Sequence, residues 1–282
     1  MVSVDSRVAY TQSLCPQSGL SKGNALSQAG NYAALAFEHG GHCPICDRDV
    51  TFVANGPYFR NTLRCSVCRS APRNRALMQV LSRHAPGWRE LAIHEGSPGW
   101  DSFSRRLMSE CRHYTASQFD ATVPFGSTVE ATSLPCGRYR SENLEGQTFA
   151  SESFDLVITQ DVFEHVYRPD LAIREIARTL KPGGATLMTV PLTRRGQPSR
   201  RRASLEGSVV TRHLQPEHHG NPIGTDGSLV TIDWGYDIVA YLQKHSGLCF
   251  MMLAIDDIDL GIRAEMNEVL VGFKVLPPDL SP

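Results

Sequence analysis

SFDLVITQDVFEHVYRPDLAIREIARTLKPGGATLMTVP, Ser153 to Pro191, decides the fold of this chain. Phe154 to Thr159 is a continuous apolar run with β-branched residues, the pattern of a strand buried on both faces of a parallel sheet. Asp170 to Leu180 then sets Leu171, Ile173, Ile176, Ala177 and Leu180 on one side of a helix. Lys181 falls in the last turn, Pro182-Gly183-Gly184 stops the helix, and Ala185 to Val190 reads as a second buried strand. A parallel crossover needs both faces of its sheet covered, so this one unit predicts a larger α/β sheet with further units on either side.

Outward from that block, FDLVITQDVFEHV followed by LKPGGATLMTVP resembles the fourth strand, following helix and fifth strand of class I S-adenosylmethionine-dependent methyltransferases. The resemblance runs over roughly residues 91–275 and is most specific in the central block. It implies a Rossmann-like sheet of seven strands in the order 3-2-1-4-5-7-6, with a methyl-donor crevice at the carboxyl ends of the strands. Thr159, Gln160 and Asp161 end the fourth strand and are expected to line the sulfonium end of the cofactor. His165, one turn on, is expected first as a supporting residue and second as a catalytic base.

Upstream, ELAIHE (Glu90–Glu95) is the expected first strand, followed by Gly96-Ser97-Pro98-Gly99. Glycines there let the backbone approach a ligand, and the family pairs the acid at the strand end with the cofactor's amino group. The resemblance therefore assigns Glu95, Gly96, Ser97 and Gly99 to cofactor binding, although the fuller glycine pattern is degraded. The next strand, RHYTA (Arg112–Ala116), follows a helix from Trp100 to Met108 and lacks the family's terminal acid. Ser117 and Gln118 stand there instead, with Asp120 close by, and the amide oxygen of Gln118 offers an acceptor for the ribose. Asn143 and Leu144 are similar to the residues that contact the adenine.

Cys43-Pro-Ile-Cys46 and Cys65-Ser-Val-Cys68 carry the sharpest local signal. Two CxxC knuckles supply the four thiolates of a tetrahedral structural zinc site, a closed set that leaves no position for catalysis. The segment between them has strand-like residues around Asn55-Gly56, as a β-ribbon needs. Residues 1–40, rich in Ser, Gln and Gly, read as a mobile segment with a short helix possible around Tyr32 to Glu38. The ribbon spans 41–70 and a connecting helix 71–88, in which Leu77, Val80 and Leu81 follow Pro72 at helical spacing. Its Arg73 and Arg75 either reach the active-site mouth or lie on a solvated face. The methyltransferase domain covers 89–277.

That domain is interrupted by a long irregular lid at about 192–232. Arg194, Arg195, Arg200, Arg201 and Arg202 cluster in its first half, either solvated or clamping an anionic group such as a phosphate or carboxylate. In its second half, QPEHHGNP resembles a PE-aromatic-HG-(D/N)-P segment of related bacterial methyltransferases. Glu217, His218 and His219 are candidates for proton transfer or substrate holding, because a carboxylate beside an imidazole orients it and raises its basicity. A tight turn that merely braces the lid, or a His/Glu metal site, are the other readings. After the lid, a helix from Asp233 to Lys244 and an antiparallel pair, Leu248–Ile255 and Glu268–Val275, complete the sheet.

A formal charge of −1 implies no general steering toward nucleic acid or membrane. Eight cysteines without the layout of a secretory signal point to a reducing, cytoplasmic setting. The resulting expectation is methyl transfer from S-adenosylmethionine to a small polar or anionic metabolite: a sugar, nucleotide-sugar or natural-product intermediate. RNA methylation with the ribbon contacting RNA is the alternative, disfavoured by the absence of a basic-aromatic stripe. A non-catalytic module that keeps the fold is a third.

Overall fold

The computed structural model describes residues 36–99, 101–132, 134, 136–223 and 227–276. Chain order in the ribbon is β1 (Ala36–Cys43), β2 (Arg48–Asn55), α1 (Phe59–Thr62) and β3 (Arg64–Cys65), followed by α2 (Pro72–His84). The main sheet is built from β4 (Ala92–Gly96), β5 (His113–Gln118), β6 (Thr128–Glu130), β7 (Arg138–Ser141), β8 (Phe154–Gln160) and β9 (Leu180–Thr189). Helix α3 (Ser102–Glu110) lies between β4 and β5, and α4 (Pro169–Thr179) between β8 and β9. The lid holds β10 (Arg200–Arg201), β11 (Ala203–Glu206), β12 (Val209–Arg212), β13 (His218–His219), β14 (Ser228–Leu229) and β15 (Ile232–Asp233). Helix α5 (Ile238–Ser246) then leads to β16 (Cys249–Leu253) and β17 (Val269–Phe273).

Eight strands pair in the order β16-β17-β9-β8-β4-β5-β7-β6. Seven of them reproduce the expected order. The eighth, β6, corrects the expected count: it adds antiparallel to β7 at the edge, and Val129 alone gives it an apolar residue. Strands β4, β5, β7, β8 and β9 run parallel, and β17 pairs antiparallel with β9. The apolar run of β8 divides as a doubly covered strand must. Leu156 and Ile158 pack toward α2, α3 and the ribbon, while Val157 packs toward α4 and α5. Leu187 and Met188 split the same way in β9, as do Val269, Val271 and Leu270 in β17.

Helix α4 ends at Thr179, and Lys274 Nζ donates to the carbonyls of Ala177 (2.9 Å) and Leu180 (2.6 Å) at its terminus. Gly183 sits at φ +80°, and a Cβ at Gly184 would lie 2.9 Å from the carbonyl oxygens of Asp155 and Lys181. This turn therefore needs both glycines.

The ribbon begins at Ala36, five residues before the expected boundary, so the region proposed for a helix is in part a strand; residues 1–35 of the expected mobile segment lie outside the described residues. β2 pairs along its length with β1 and only at Phe52 and Val53 with β3. Asn55-Gly56 leads instead into α1, which corrects the hairpin expected around that turn. The two knuckles repeat one geometry. Asp47 N–H donates to Cys43 O (2.8 Å), Arg69 N–H to Cys65 O (3.1 Å), and Asp47 and Arg69 take φ +50° and +60°.

Ribbon and sheet share one core, in which Cys43, Phe52, Leu63 and Cys65 pack with Leu77, Ile93, Leu107 and Leu156. Arg106 of α3 donates to the carbonyls of Pro44 and Ile45, each at 2.8 Å. Arg75 is fully buried: it donates to the carbonyls of Ser70, Leu63 and Gly261 and stacks 4.6 Å over the Phe52 ring. It therefore faces the core and not the active-site mouth. Among the described residues, no helix is long and apolar enough to cross a membrane.

Candidate active site

A cavity of about 1000 Å³ opens at the carboxyl ends of β4, β5, β7 and β8. Ligands of open parallel sheets bind at this edge, where the strand order reverses. The volume is at the upper end of small-molecule sites, so it has room for more than one drug-sized compound. Gly96, Ser97 and Gly99 line it from the turn after β4, and Ser117 and Gln118 from the end of β5. Asn143 and Leu144 follow β7, and Gln160 and Asp161 end β8. All nine were expected there. Thr159 is wholly buried beside the cavity and does not line it. Its Cγ2 would lie 3.3 Å from a Cβ placed on Gly96, a tight contact that the neighbouring methyl would have to relieve by a few tenths of an ångström.

Ser97 (φ +58°) and Asp161 (φ +51°) are both in the left-handed region, at the ends of the adjacent strands β4 and β8. Such strain gathers at ligand sites, where the surrounding fold over-determines the backbone. Gln118 braces the first of these turns: its Oε1 accepts from Ser97 Oγ (2.9 Å) and its Nε2 donates to Pro98 O (2.8 Å). Ser117 Oγ pairs with the buried ring of His94 at 2.8 Å. Burial alone pulls His94 down to about 3, so its ring is neutral. Asp120 is spent elsewhere, accepting from Tyr139 and Thr122.

Glu95 is the first correction to the expected site. Strand alternation turns it away from the cavity, into a wholly buried pocket. There its carboxyl accepts from Ser104 Oγ (2.7 Å), Gln160 Nε2 (2.9 Å) and Tyr114 OH (2.8 Å). Near the same turn, a carboxylate that does line the cavity is that of Asp101, the N-cap of α3, which accepts from the amides of Phe103 (2.8 Å) and Ser104 (3.1 Å).

Burial, and secondly the Asp101 charge, push Glu95 up to about 7 from an ordinary 4.5. Below the ordinary value the folded and unfolded chains are both protonated, so the stabilisation of the neutral form is fully present. As pH rises through about 7, an unfolded chain is already ionised while the folded one must ionise a buried group. Stability should therefore fall by roughly 3 kcal/mol across that window. We predict that Glu95→Gln flattens this fall in urea-unfolding midpoints taken between about pH 5 and about pH 8. An unchanged slope would mean that the carboxyl ionises freely in the fold.

On the ribbon side, Arg60 Nη2 and Arg73 Nε reach one oxygen of Asp161, at 2.8 Å and 3.2 Å. Arg60 is nearly buried, and its Nη1 has no hydrogen-bond partner. With one carboxylate between two guanidiniums, this wall of the cavity keeps a positive charge. Asn74 of α2 donates to Gln160 Oε1 at 3.0 Å, tying the same wall to β8. Arg60 lies on a four-residue helical turn without any sequence signal of function, whereas Arg73 lies on the connecting helix that the sequence points to.

The lid is less irregular than expected. β10 pairs with β15, β11 with β12 and β13 with β14, each as a short antiparallel ribbon. Its arginines serve the lid and not the cavity, which corrects the anion-clamp reading. Arg200 and Arg202 bind Asp233, at 2.9 Å and 3.1 Å, and Arg195 binds Glu265 at 3.2 Å. Arg201 donates to Tyr167 O and Arg194 to Pro198 O. None of the five is among the lining residues.

The lid is fastened to the β8–α4 turn. Thr231 N–H donates to Glu164 O at 2.7 Å, and Trp234 Nε1 to Phe163 O at 3.0 Å. This brings His219 over His165, with ring centroids 5.0 Å apart and edge to face. Both rings, with Glu217 and Glu164, line the cavity. His219 Nε2 lies 3.5 Å from Glu217, and its Nδ1 lies 3.6 Å from Glu164. Glu164 raises the pKa of His219 against the lowering effect of its own burial, with Glu217 adding to the rise. His218 points outward and is exposed, because consecutive residues of β13 face opposite ways. Glu164 is the residue that sequence reasoning passed over, although it lies within the EHV motif.

The four cysteines of the ribbon come together as expected. Cys43 and Cys68 sulfurs are 3.6 Å apart, those of Cys46 and Cys65 3.8 Å, and all four lie within 4.8 Å of one another.

Residues 98–188 match the family model described as "Methyltransferase domain". The chain carries a methyltransferase domain, and it is an enzyme. No curated protein sequence matches it. Among solved structures it is similar to an S-adenosylmethionine-dependent methyltransferase from Mesorhizobium loti: 13% identity, 70% of this chain and 97% of that one covered, TM-score 0.46. It is also similar to the 1,6-didemethyltoxoflavin-N1-methyltransferase of Burkholderia thailandensis, solved with 1,6-didemethyltoxoflavin and S-adenosylhomocysteine: 12% identity, coverage 73% and 79%, TM-score 0.46. A third is an S-adenosylmethionine-dependent methyltransferase from Methanosarcina mazei, at 14% identity, coverage 69% and 97%, and TM-score 0.39.

Proposed function

We propose that this enzyme transfers a methyl group from S-adenosylmethionine to a small polar metabolite, with a structural zinc ion in its ribbon. The observation that carries the reading is the cavity at the ends of β4, β5, β7 and β8, bordered by the matched domain. Gly96 to Gly99 offers the bare backbone that a close-lying methionine moiety needs, and Asp101 the carboxylate for its amino group. The carbonyl oxygen of Gln118 has a second lone pair beyond the Ser97 bond, available to a ribose hydroxyl. Asn143 and Leu144 flank the place for the base. When bound, the cofactor supplies an electrophilic methyl group on a sulfonium.

His219, Glu217 and His165 are the residues we assign to the acceptor. They form the polar end of the cavity beneath the lid, where an acceptor hydroxyl or amine must be oriented and lose its proton. The positive wall of Arg60 and Arg73 favours an acceptor with an anionic substituent, such as a sugar acid or a phosphorylated sugar. Four thiolates at about 2.3 Å from one zinc ion stand about 3.8 Å apart in a tetrahedron, and the ribbon's sulfur pairs are at 3.6 and 3.8 Å.

Titration calorimetry with S-adenosylmethionine and S-adenosylhomocysteine tests the cofactor; binding of neither would sink the reading. A screen of sugar and nucleotide-sugar acceptors, using labelled methyl donor, then gives turnover. His219→Ala should reduce that turnover by about 100-fold or more while leaving cofactor affinity unchanged. Full activity of the variant would remove His219 from acceptor handling.

A further inference from the structure

Glu164 is the anomaly in the cavity. Its side chain is 2% exposed, and neither carboxylate oxygen has a hydrogen-bond partner. A buried carboxylate left bare costs several kcal/mol. What faces it is two imidazole nitrogens, His165 Nε2 and His219 Nδ1, both 3.6 Å from Oε1. That is too long for a good hydrogen bond. It is close to the separation of two ligands that share one ion: at about 2.1 Å from a common metal, tetrahedral ligands stand about 3.4 Å apart.

The outer contacts fit the same arrangement. His165 Nδ1 is 2.9 Å from the carbonyl oxygen of Leu229, which can only accept, so Nδ1 carries the proton and Nε2 presents its lone pair to Glu164. The far nitrogen of His219, Nε2, lies 3.5 Å from Glu217, which leaves Nδ1 to ligate. A carbonyl or a carboxylate behind each ligating imidazole is the usual support of a metal-binding histidine.

We propose that Glu164, His165 and His219 bind a first-row divalent cation, zinc being the best match to two imidazoles and a carboxylate. Three protein ligands leave positions open toward the cavity for an oxygen donor of the acceptor, a hydroxyl or a carboxylate. The site is distinct from the ribbon: its donors are nitrogen and oxygen, and it is open where the four-cysteine set is closed. What the ion acts on rests on the methyl-transfer reading; whether it binds does not.

The test is cobalt loading of the full-length protein, with the ribbon zinc kept in place by mild chelation only. The wild type should take up one further equivalent of Co²⁺, with weak visible bands and none of the intense near-ultraviolet absorption of cobalt thiolate. Glu164→Gln and His219→Ala should each weaken this uptake by about 100-fold or more, beyond the 10–100-fold typical of an outer contact. His218→Ala, on the outward face of the same strand, should leave it intact. Unfolding midpoints check that the variants fold; His219 is on a half-exposed lid strand, so its replacement should not unfold the domain. No second equivalent in the wild type, or uptake unchanged in both ligand variants, overturns the proposal. Calorimetry with S-adenosylhomocysteine is run in parallel: cobalt binding without cofactor binding sinks the methyl-transfer reading and leaves the metal site standing.

Discussion

Removing zinc from the ribbon should unfold the whole domain. Structural zinc contributes on the order of 10–16 kcal/mol in small zinc modules, as much as the entire stability of an ordinary domain. Here the loss cannot stay local. Cys43 and Cys65 are wholly buried and belong to the same core as Ile93, Leu107 and Leu156 of the main domain. The knuckle carbonyls of Pro44 and Ile45 hold Arg106 of α3, so a collapsing ribbon would release that helix too. The expected result is at least one equivalent of zinc in the native protein by mass spectrometry, retained after mild chelation, and a single cooperative melt that falls by tens of degrees after strong chelation under mild denaturation. Cys65→Ser should behave like the chelated protein. A metal-free protein with the same melting temperature would refute the zinc assignment.

The second large effect concerns Arg75. Among the described residues it has no carboxylate within ion-pair distance, yet it is fully buried. Burial lowers its pKa, while the thiolates of Cys43, Cys65 and Cys68 oppose that shift. A zinc ion with four thiolates carries a net charge of −2, so the zinc proposed for the ribbon would be the counter-charge the guanidinium lacks. Arg75→Met keeps much of the volume over Phe52 but leaves the carbonyls of Ser70, Leu63 and Gly261 without their donor and the zinc centre without its cation. Breaking a buried charge pair by removing one member costs about 3–5 kcal/mol, and we expect a loss of that size in urea unfolding. Arg73→Met, two residues earlier on a different face of α2 and partly exposed, should cost less than about 1 kcal/mol in stability. A difference under about 1 kcal/mol between the two variants would show that Arg75 is not coupled to the metal.

The reading of the central unit needed no tertiary information. A strand covered on both faces must be apolar throughout, and Phe154–Thr159 states that directly, as Ile173 and Ile176 state the buried side of α4. Elements that depend on remote partners were not legible. Strand β1 alternates inward and outward over residues 37–43, but the pattern is hidden in the sequence because the inward Gly41 carries no side chain: it lies against the carbonyl of Asp259, 218 residues on, and a Cβ there would come within 2.1 Å of it. β6 is an edge strand of three residues with one apolar side chain. In the site, Glu95 leaves its expected place because strand alternation decides which side of the sheet its carboxylate faces, and Asp101, to which the sequence assigns no role, lines the cavity from the N-cap of α3. A cluster of arginines in the lid does not reveal in the sequence that Asp233, Glu217 and Glu265 neutralise it. Glu164 acquires its meaning only when His219, 55 residues later, is laid over it by the pairing of β13 with β14.

The clasp of Arg60 and Arg73 on Asp161 has a thermodynamic consequence. Arg60 belongs to the ribbon, Asp161 follows the carboxyl end of β8, and both line the cavity. A ligand that favours the clasped arrangement and a zinc ion that favours the folded ribbon are therefore linked through one shared contact. Linkage is reciprocal: whatever factor zinc gives to the affinity of the cavity, an occupied cavity returns to the retention of zinc. On the proposed zinc assignment, the metal and the small molecule, bound at separate places, would act as effectors of each other.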